Sequence, residues 1–199
     1  MTVKQIVNPI FTSNNYIITK KGIDSVWLVD IGNIDSVLNT ISKNNYIKGV
    51  FITHPHFDHI YGINKLVETF PDCTVYTSSA GKLGLSSAKL NLSFYHEKPI
   101  EYVGENISVL KENDTIELFD DVFIQTLETP GHNMGCLSFK INNFLFTGDS
   151  FIPNVDVVTK LKGGDKEANK KSLEKIMSCI SKDTVICPGH REMTVLHNF

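Results

Sequence analysis

In the stretch Thr53-His54-Pro55-His56-Phe57-Asp58-His59-Ile60-Tyr61-Gly62, four residues able to ligate a metal fall within six positions, and three of the chain's seven histidines are among them. The apolar run before them, Gly49-Val50-Phe51-Ile52, reads as a buried strand. A helix starting near Ile60 would leave His54, His56, Asp58 and His59 on the loop between, at the carboxyl end of a sheet, where layered α/β proteins bind their ligands. Residues two apart in an extended loop point the same way. His54 and His56 can therefore grip one ion while Asp58 and His59 turn towards a neighbouring one. Imidazole nitrogen and carboxylate oxygen suit zinc, iron(II) or manganese(II), and the lack of cysteine here argues against a closed structural zinc site. One histidine at such a place would read as a solvated loop residue; the spacing His-x-His-x-Asp-His does not.

Three further positions share a local form in which a strand ends, a glycine loosens the backbone and a ligand-type residue follows. They are His132 in Thr129-Pro130-Gly131-His132, Asp149 in Phe146-Thr147-Gly148-Asp149 and His190 in Pro188-Gly189-His190. Proline ends the strand in the first and last, and glycine permits close approach of backbone to a bound ion. Any one of them could be a polar turn. Together with the first motif they place five of the seven histidines at strand ends, which a chance arrangement of turns does not produce.

These residues need a frame, and the hydrophobic pattern supplies one. Asn15–Thr19 and Ser25–Ile31 are β-rich runs joined by a turn at Lys21-Gly22, and Ile34, Val37, Leu38 and Ile41 recur at helical spacing to about Lys43. Lys48–Thr53 is the strand entering the histidine motif. Ile63, Leu66, Val67 and Phe70 make the apolar stripe of a helix stopped at Pro71-Asp72, before a short strand at Thr74–Thr77. Repeated strand-helix units imply α/β layering. Ser78–Glu105 is irregular apart from a candidate helix at 79–85, and a long irregular segment is more often functional than accidental, so it is a candidate lid or substrate wall. His96, within it, reads as a surface residue. Strands return at Ile107–Lys111, Thr115–Leu118, Val122–Glu128, Cys136–Ile141 and Phe144–Thr147, with Asn142-Asn143 as a hairpin turn. This many successive strands need a second sheet. Leu173, Ile176, Met177 and Ile180 mark the core face of a helix whose lysines, Lys170, Lys171 and Lys175, face water, and Thr184–Cys187 is the last strand. The loop Ile152–Asp165, with Phe94 and Tyr95, can border a pocket, and Lys160 or Lys162 could meet an anionic group there.

A chain of 199 residues, 41% of them hydrophobic, is the size of one compact domain, here spanning residues 1–199. The net charge of −3 comes without a basic stripe, so a nucleic-acid partner is not expected; a small-molecule substrate is. No apolar run approaches signal-peptide or membrane-spanning length, which points to a cytoplasmic protein without a membrane partner. Cys73, Cys136, Cys179 and Cys187 form no C-x-x-C pair and read as small core residues. Nothing in the pattern specifies an oligomeric state.

The ordered set His-x-His-x-Asp-His, His132, Asp149, His190 resembles the signature of the metallo-β-lactamase superfamily, and the resemblance runs from Asn15-Tyr16 and Val29-Asp30-Ile31-Gly32 to Pro188-Gly189-His190. It implies a four-layer αββα sandwich with a two-metal site on one edge of the sheets. Thr129–Gly135, Phe146–Ser150, Pro188-Gly189-His190 and Leu90-Asn91-Leu92-Ser93 are most similar to the glyoxalase II (hydroxyacylglutathione hydrolase) branch and its short prokaryotic relatives. By this resemblance His54, His56 and His132 would hold one metal, Asp58, His59 and His190 the second, and Asp149 would bridge them. Asp58 and Asp149 would be catalytic as well as ligating. Two divalent ions, zinc foremost, with iron or manganese as alternatives, bring the pKa of a shared water towards neutrality and so supply a hydroxide nucleophile.

The implied activity is hydrolysis of a small thioester, ester or lactone. The chain departs from the branch in three places. Nine residues follow His190, where glyoxalase II continues into a helical domain with glutathione contacts; Pro153-Asn154-Val155-Asp156 stands where Gly-Arg-x-Asp is usual; and Asn133 replaces a threonine or serine. Glyoxalase II activity as such is therefore not expected. Asp149 in place of a cysteine, and the lack of an export signal, speak against a zinc β-lactamase of the commonest subclass. The alternatives are a mononuclear iron persulfide dioxygenase using His54, His132 and Asp149, a phosphodiesterase of the same superfamily, disfavoured by the acidic balance, and a metal-binding module without turnover.

Overall fold

The computed structural model describes residues 1–196, and twelve strands form two six-stranded sheets. The first sheet takes β1 (Thr2–Val7), β2 (Asn14–Thr19), β3 (Ser25–Val29), β4 (Tyr46–Phe51), β5 (Thr74–Thr77) and β6 (Ile107–Val109) in chain order. The second takes β7 (Thr115–Phe119), β8 (Val122–Glu128), β9 (Leu137–Ile141), β10 (Phe144–Gly148), β11 (Val185–Pro188) and β12 (Thr194–Val195), again as spatial neighbours in sequence order. From β3 to β6 the pairing is parallel, and β10 pairs parallel with β11; the other pairs are antiparallel.

Side-chain alternation along these strands sorts the core into three layers, because successive residues of a strand face opposite sides of its sheet. Tyr16, Ile18, Trp27, Val29 and Phe51 face inward and meet Leu118, Ile124, Leu137, Phe139 and Phe146 between the sheets. Trp27 also donates its indole N–H across the gap to the Leu118 carbonyl at 2.9 Å, which satisfies the polar atom of a buried ring. On the outer side of the first sheet, Ile17, Leu28, Val50 and Ile52 pack against helices α1 (Ile34–Leu38), α2 (Phe57–Ile60) and α3 (Ile63–Thr69) through Ile34, Val37, Ile60, Ile63 and Leu66. Leu85 of α4 (Ser79–Leu85) joins the same layer. On the far side of the second sheet, Leu127, Leu145 and Ile186 pack on Ile176 of α5 (Lys166–Ser178). The expected αββα sandwich is the architecture observed.

The helical readings need correction in two places. The helix expected from Ile34 to about Lys43 ends at Leu38, where Asn39 caps it, and continues only as turns closed by Thr40 and Ile41 on the Val37 carbonyl. The helix expected near Ile60 is two: α2 begins at Phe57, so Asp58 and His59 ride on a helical turn rather than a loop, and α3 follows after Tyr61-Gly62. Strands β1 and β12 carry no strong alternating signal; β1 is an edge strand with mixed burial. Met177 is exposed rather than buried, and Lys175 reaches Glu112 at 2.8 Å instead of standing free in water. Cys73, Cys136 and Cys187 are buried and all four cysteines are free.

Candidate metal centre

Four strands deliver the site. β4 runs into Thr53-His54, with α2 adding Asp58 and His59; β8 leads to His132, β10 to Asp149 and β11 to His190. Because β8, β10 and β11 run the same way, their carboxyl ends open at one end of the second sheet, and the parallel pairing of β10 with β11 sets Asp149 beside His190. Two glycines let the chains come that close. Gly148 has φ +49° and lies so near Thr53 that a Cβ would meet its hydroxyl at 2.6 Å. A Cβ on Gly189 would collide with the Asp149 carboxylate.

All seven sequence-predicted residues converge, in groups whose ligand atoms lie within 4.8 Å of one another: His54, His56 and His132; His54, His59 and Asp149; Asp58, His59 and His190. Hydrogen bonds on the far ring nitrogens fix which nitrogen faces inward. The Nδ1 of His54 lies 3.1 Å from Thr53 Oγ1, which already donates to Asp30, so His54 Nδ1 is the donor and Nε2 points into the site. His132 likewise donates Nδ1–H to the Val158 carbonyl at 2.8 Å. His56 presents its Nδ1, 2.9 Å from His132 Nε2.

The second group is held from behind by Asp30, whose carboxylate accepts from Thr53 N at 2.7 Å, Thr53 Oγ1 at 2.7 Å and His59 Nδ1 at 2.8 Å. A carboxylate on the outer nitrogen of a metal-facing histidine is the usual way such a ring is oriented and made more basic. Asp30 is itself in the left-handed region at φ +58°, a conformation aspartate tolerates better than most side chains. Burial pushes its pKa up, while His59 and Thr53 push it down without reversing the shift.

A buried polar network steadies this corner. Asn15 accepts from Gly32 N at 2.7 Å and Asn8 Nδ2 at 2.9 Å, Asn8 accepts from Asn33 N at 3.0 Å, and Ser13 donates to the Asp58 carbonyl at 2.7 Å. Asn14 and Tyr16 hold the Pro188 carbonyl at 2.9 and 2.7 Å, just before Gly189-His190. Asp30, Asn8, Ser13, Asn14 and Asn15 were not among the residues predicted from sequence. The available signal was polar side chains set at the ends of apolar strands.

The geometry fits divalent metal ions. His54 Nε2, His59 Nε2 and Asp149 Oδ1 are buried with no hydrogen-bond partner, a costly state unless an ion meets them. His59 Nε2 stands 3.5 Å from Asp58 Oδ2 and 3.6 Å from Asp149 Oδ1, and His190 Nε2 stands 3.3 Å from Asp58 Oδ2 and 3.5 Å from Asp149 Oδ2. These separations are too long for good hydrogen bonds. A tetrahedral ion about 2.0–2.1 Å from each ligand would set ligands about 3.4 Å apart, which they match. Asp149 sits between the groups, with Oδ2 also 3.6 Å from His132 Nε2.

The group of His54, His56 and His132 and the group of Asp58, His59 and His190 differ electrostatically. Burial, then the neighbouring histidines, drive His54 far below its ordinary pKa and His56 down to about 3, so these two rings are neutral and ready to ligate. Burial also opposes charge on His59 and His190, yet Asp58 and Asp149, with Asp30 for His59, outweigh it and raise them to about 9 and about 10. Reciprocally, burial would raise Asp58 and Asp149, but the histidines hold both below the usual carboxylate range.

Beside the ligands lies a cavity of about 250 Å³ walled by His132, Asp149 and His190, by Ile152 and Val155–Val158 of the loop after β10, and by Arg191. The expectation for Ile152–Asp165 is met in its first half. Lys162 instead joins Pro55, Leu83, Leu90 and Asn133 around a separate hollow of about 140 Å³. None of Ser78–Glu105 lines the cavity at the ligands, and Phe94 and Tyr95 are exposed. His96 packs on Phe57, ring centroids 4.1 Å apart, and belongs to none of the ligand groups.

A sandwich of this topology carries adjoining histidine–aspartate groups at one end of its sheets, and these define a candidate metal-binding site. The model of the metallo-beta-lactamase superfamily matches residues 42–190, and the chain belongs to that family. Among solved structures it is similar to the B3 metallo-beta-lactamase BLEG-1, with 24% identity over 97% of this chain and 93% of that one and a TM-score of 0.86. TTHA1623, solved in a di-iron-bound form, shares 24% identity over 97% and 94% of the two chains at a TM-score of 0.80. ETHE1 from Myxococcus xanthus shares 21% over 98% and 79% at 0.76. Among the described residues no helix is long and apolar enough to cross a membrane.

Proposed function

We propose that the protein is a dinuclear metallohydrolase, similar to glyoxalase II, acting on a small thioester, ester or lactone in the cytoplasm. The observation that carries this reading is the pair of adjoining ligand groups with Asp149 between them, opening on a cavity rather than closed off. His54, His56 and His132 would hold one ion and Asp58, His59 and His190 the other, zinc being the ion that best suits this nitrogen and oxygen set, with iron or manganese admissible. Two such ions, when bound, would supply a nucleophilic hydroxide at neutral pH and Lewis acidity for the developing negative charge.

The chain's own part is orientation and proton handling. Asp30 and Thr53 fix the rings of His59 and His54, and the Val158 carbonyl fixes His132; Asp58, in the group with His59 and His190, would accept a proton from the attacking water. Ile152, Val155 and Val158 line an apolar wall that limits water around the acyl group. A cavity of about 250 Å³, just below the roughly 300 Å³ at which ligand sites begin, supports a small-molecule substrate over a nucleic acid.

The test is elemental analysis of protein purified without chelators, followed by a thioester and lactone panel. About two equivalents of zinc, manganese or mixed metal, with turnover, is the expected result. One equivalent of iron with persulfide-dependent oxygen uptake would replace this reading with the mononuclear dioxygenase.

A further inference from the structure

Arg191 is the chain's sole arginine, and it lines the same cavity as His132, Asp149 and His190. Its backbone is at φ +73°, in the left-handed region that a residue with a Cβ avoids. The carbonyl is clamped by Gln5 Nε2 and Asn14 Nδ2, both at 2.7 Å, so β1 and β2 hold the residue where it is. A strained, doubly anchored residue beside reacting groups points to a use for its side chain. Among the described residues no carboxylate lies within ion-pairing distance of it. Apart from these residues the cavity wall is apolar, made by Ile152, Val155, Val157 and Val158, and the one further charge in it is Asp156.

We propose that Arg191 is a specificity-determining residue that binds a carboxylate carried by the substrate, one short apolar spacer away from the acyl group. A planar guanidinium matches a carboxylate with two parallel hydrogen bonds. Asp156 in the same wall disfavours a more highly charged phosphate, and the spacer matches the aliphatic lining. The inference rests on the hydrolase reading and names its substrate class: the half-thioester of a small dicarboxylic acid.

The test compares the metal-loaded wild type with R191Q, R191K and R191G on the N-acetylcysteamine thioester of succinate and its uncharged succinamide counterpart. The wild type is expected to prefer the charged substrate. R191Q should lose about tenfold or more in kcat/KM on it, mainly through KM, and far less on the uncharged one, with R191K between. R191G accepts the left-handed backbone without strain and serves if R191Q does not fold. Calorimetric binding of succinate to the loaded protein should weaken in parallel. Equal losses on both substrates, or no wild-type preference, would overturn the assignment while leaving the hydrolase intact. If the wild type turns over neither thioester, the half-thioester class is removed while the hydrolase reading stays with its lactone and ester panel, and succinate binding decides the arginine's role: weakened in R191G it supports that role, unchanged it removes it.

Discussion

At Asp149 a single carboxylate faces His59, His132 and His190 at 3.5–3.6 Å, so its two oxygens are shared between the ligand groups. Asp149→Asn removes the charge and one oxygen acceptor from both. Since outer partners of metal ligands are alone worth about 10–100-fold, the variant is expected to keep its fold, retain at most one ion and fall more than about a hundredfold in kcat/KM, read by metal content and steady-state kinetics. The histidines beside it set a pH dependence. With pKa values raised to about 9 and 10, His59 and His190 are protonated at pH 7 in the metal-free protein, and an ion at that group must displace both protons. Affinity for the second ion should therefore climb as pH rises from 7 towards 10, with proton release approaching two per ion, measurable by calorimetry in buffers of different ionisation enthalpy. The stability term has the opposite slope. Each raised pKa stabilises the metal-free fold fully below the unfolded value near 6.5 and ceases to do so as pH passes about 9–10. Chelated protein should lose Tm over that window more steeply than loaded protein. These ligands were legible in the sequence because metal chemistry restricts the residue types, and glycine and proline mark where strands end.

Among elements, the β3–α1 connection does the least visible work. Asp30 stands at the end of an apolar strand, where its side chain could equally have met solvent, and only the packing of β4 and α2 against it reveals a buried carboxylate behind His59. Asp30→Asn should lower affinity for the second ion about 10–100-fold, by titration with a metal indicator, while leaving the first group loaded. Asn15→Ala strips an acceptor from Gly32 N and Asn8, and should destabilise the fold by about 1–3 kcal/mol in denaturant melts. Strand positions and hairpins at Lys21-Gly22 and Asn142-Asn143 were readable because alternation and turn chemistry are local signals. The break between α2 and α3 was not, because Gly62 is required by the Gly32 backbone against it, a contact distant in sequence.

For the molecule as a whole, His54, His56, Asp58 and His59 come from the first half and His132, Asp149 and His190 from the second. Ions held there would tie the two halves together in addition to the inner core and the bonds of Asn14 and Tyr16 to Pro188, and ligand binding to the native state alone stabilises it by about 2.7 kcal/mol at a hundred times Kd. Chelation should lower Tm by several degrees in the wild type and by much less in Asp149→Asn, as read by calorimetry. The sandwich class was legible from strand count and periodicity. The neighbour relations of its strands were not, since pairing between β10 and β11 joins segments separated by α5.

Each sheet takes its strands from one uninterrupted half of the chain, and the path passes from one to the other once, between β6 and β7. During synthesis the first sheet can therefore assemble while the second is still in the ribosome. His54, His56, Asp58 and His59 are then set at the end of β4 and on α2 early, but His190 reaches them only when β11 has been added beside β10 and Asn14 and Tyr16 have closed on Pro188. Completion of the Asp58–His59–His190 group is thus the late step of assembly: a chain stalled before β11 would display the histidine cluster without the residue that completes it.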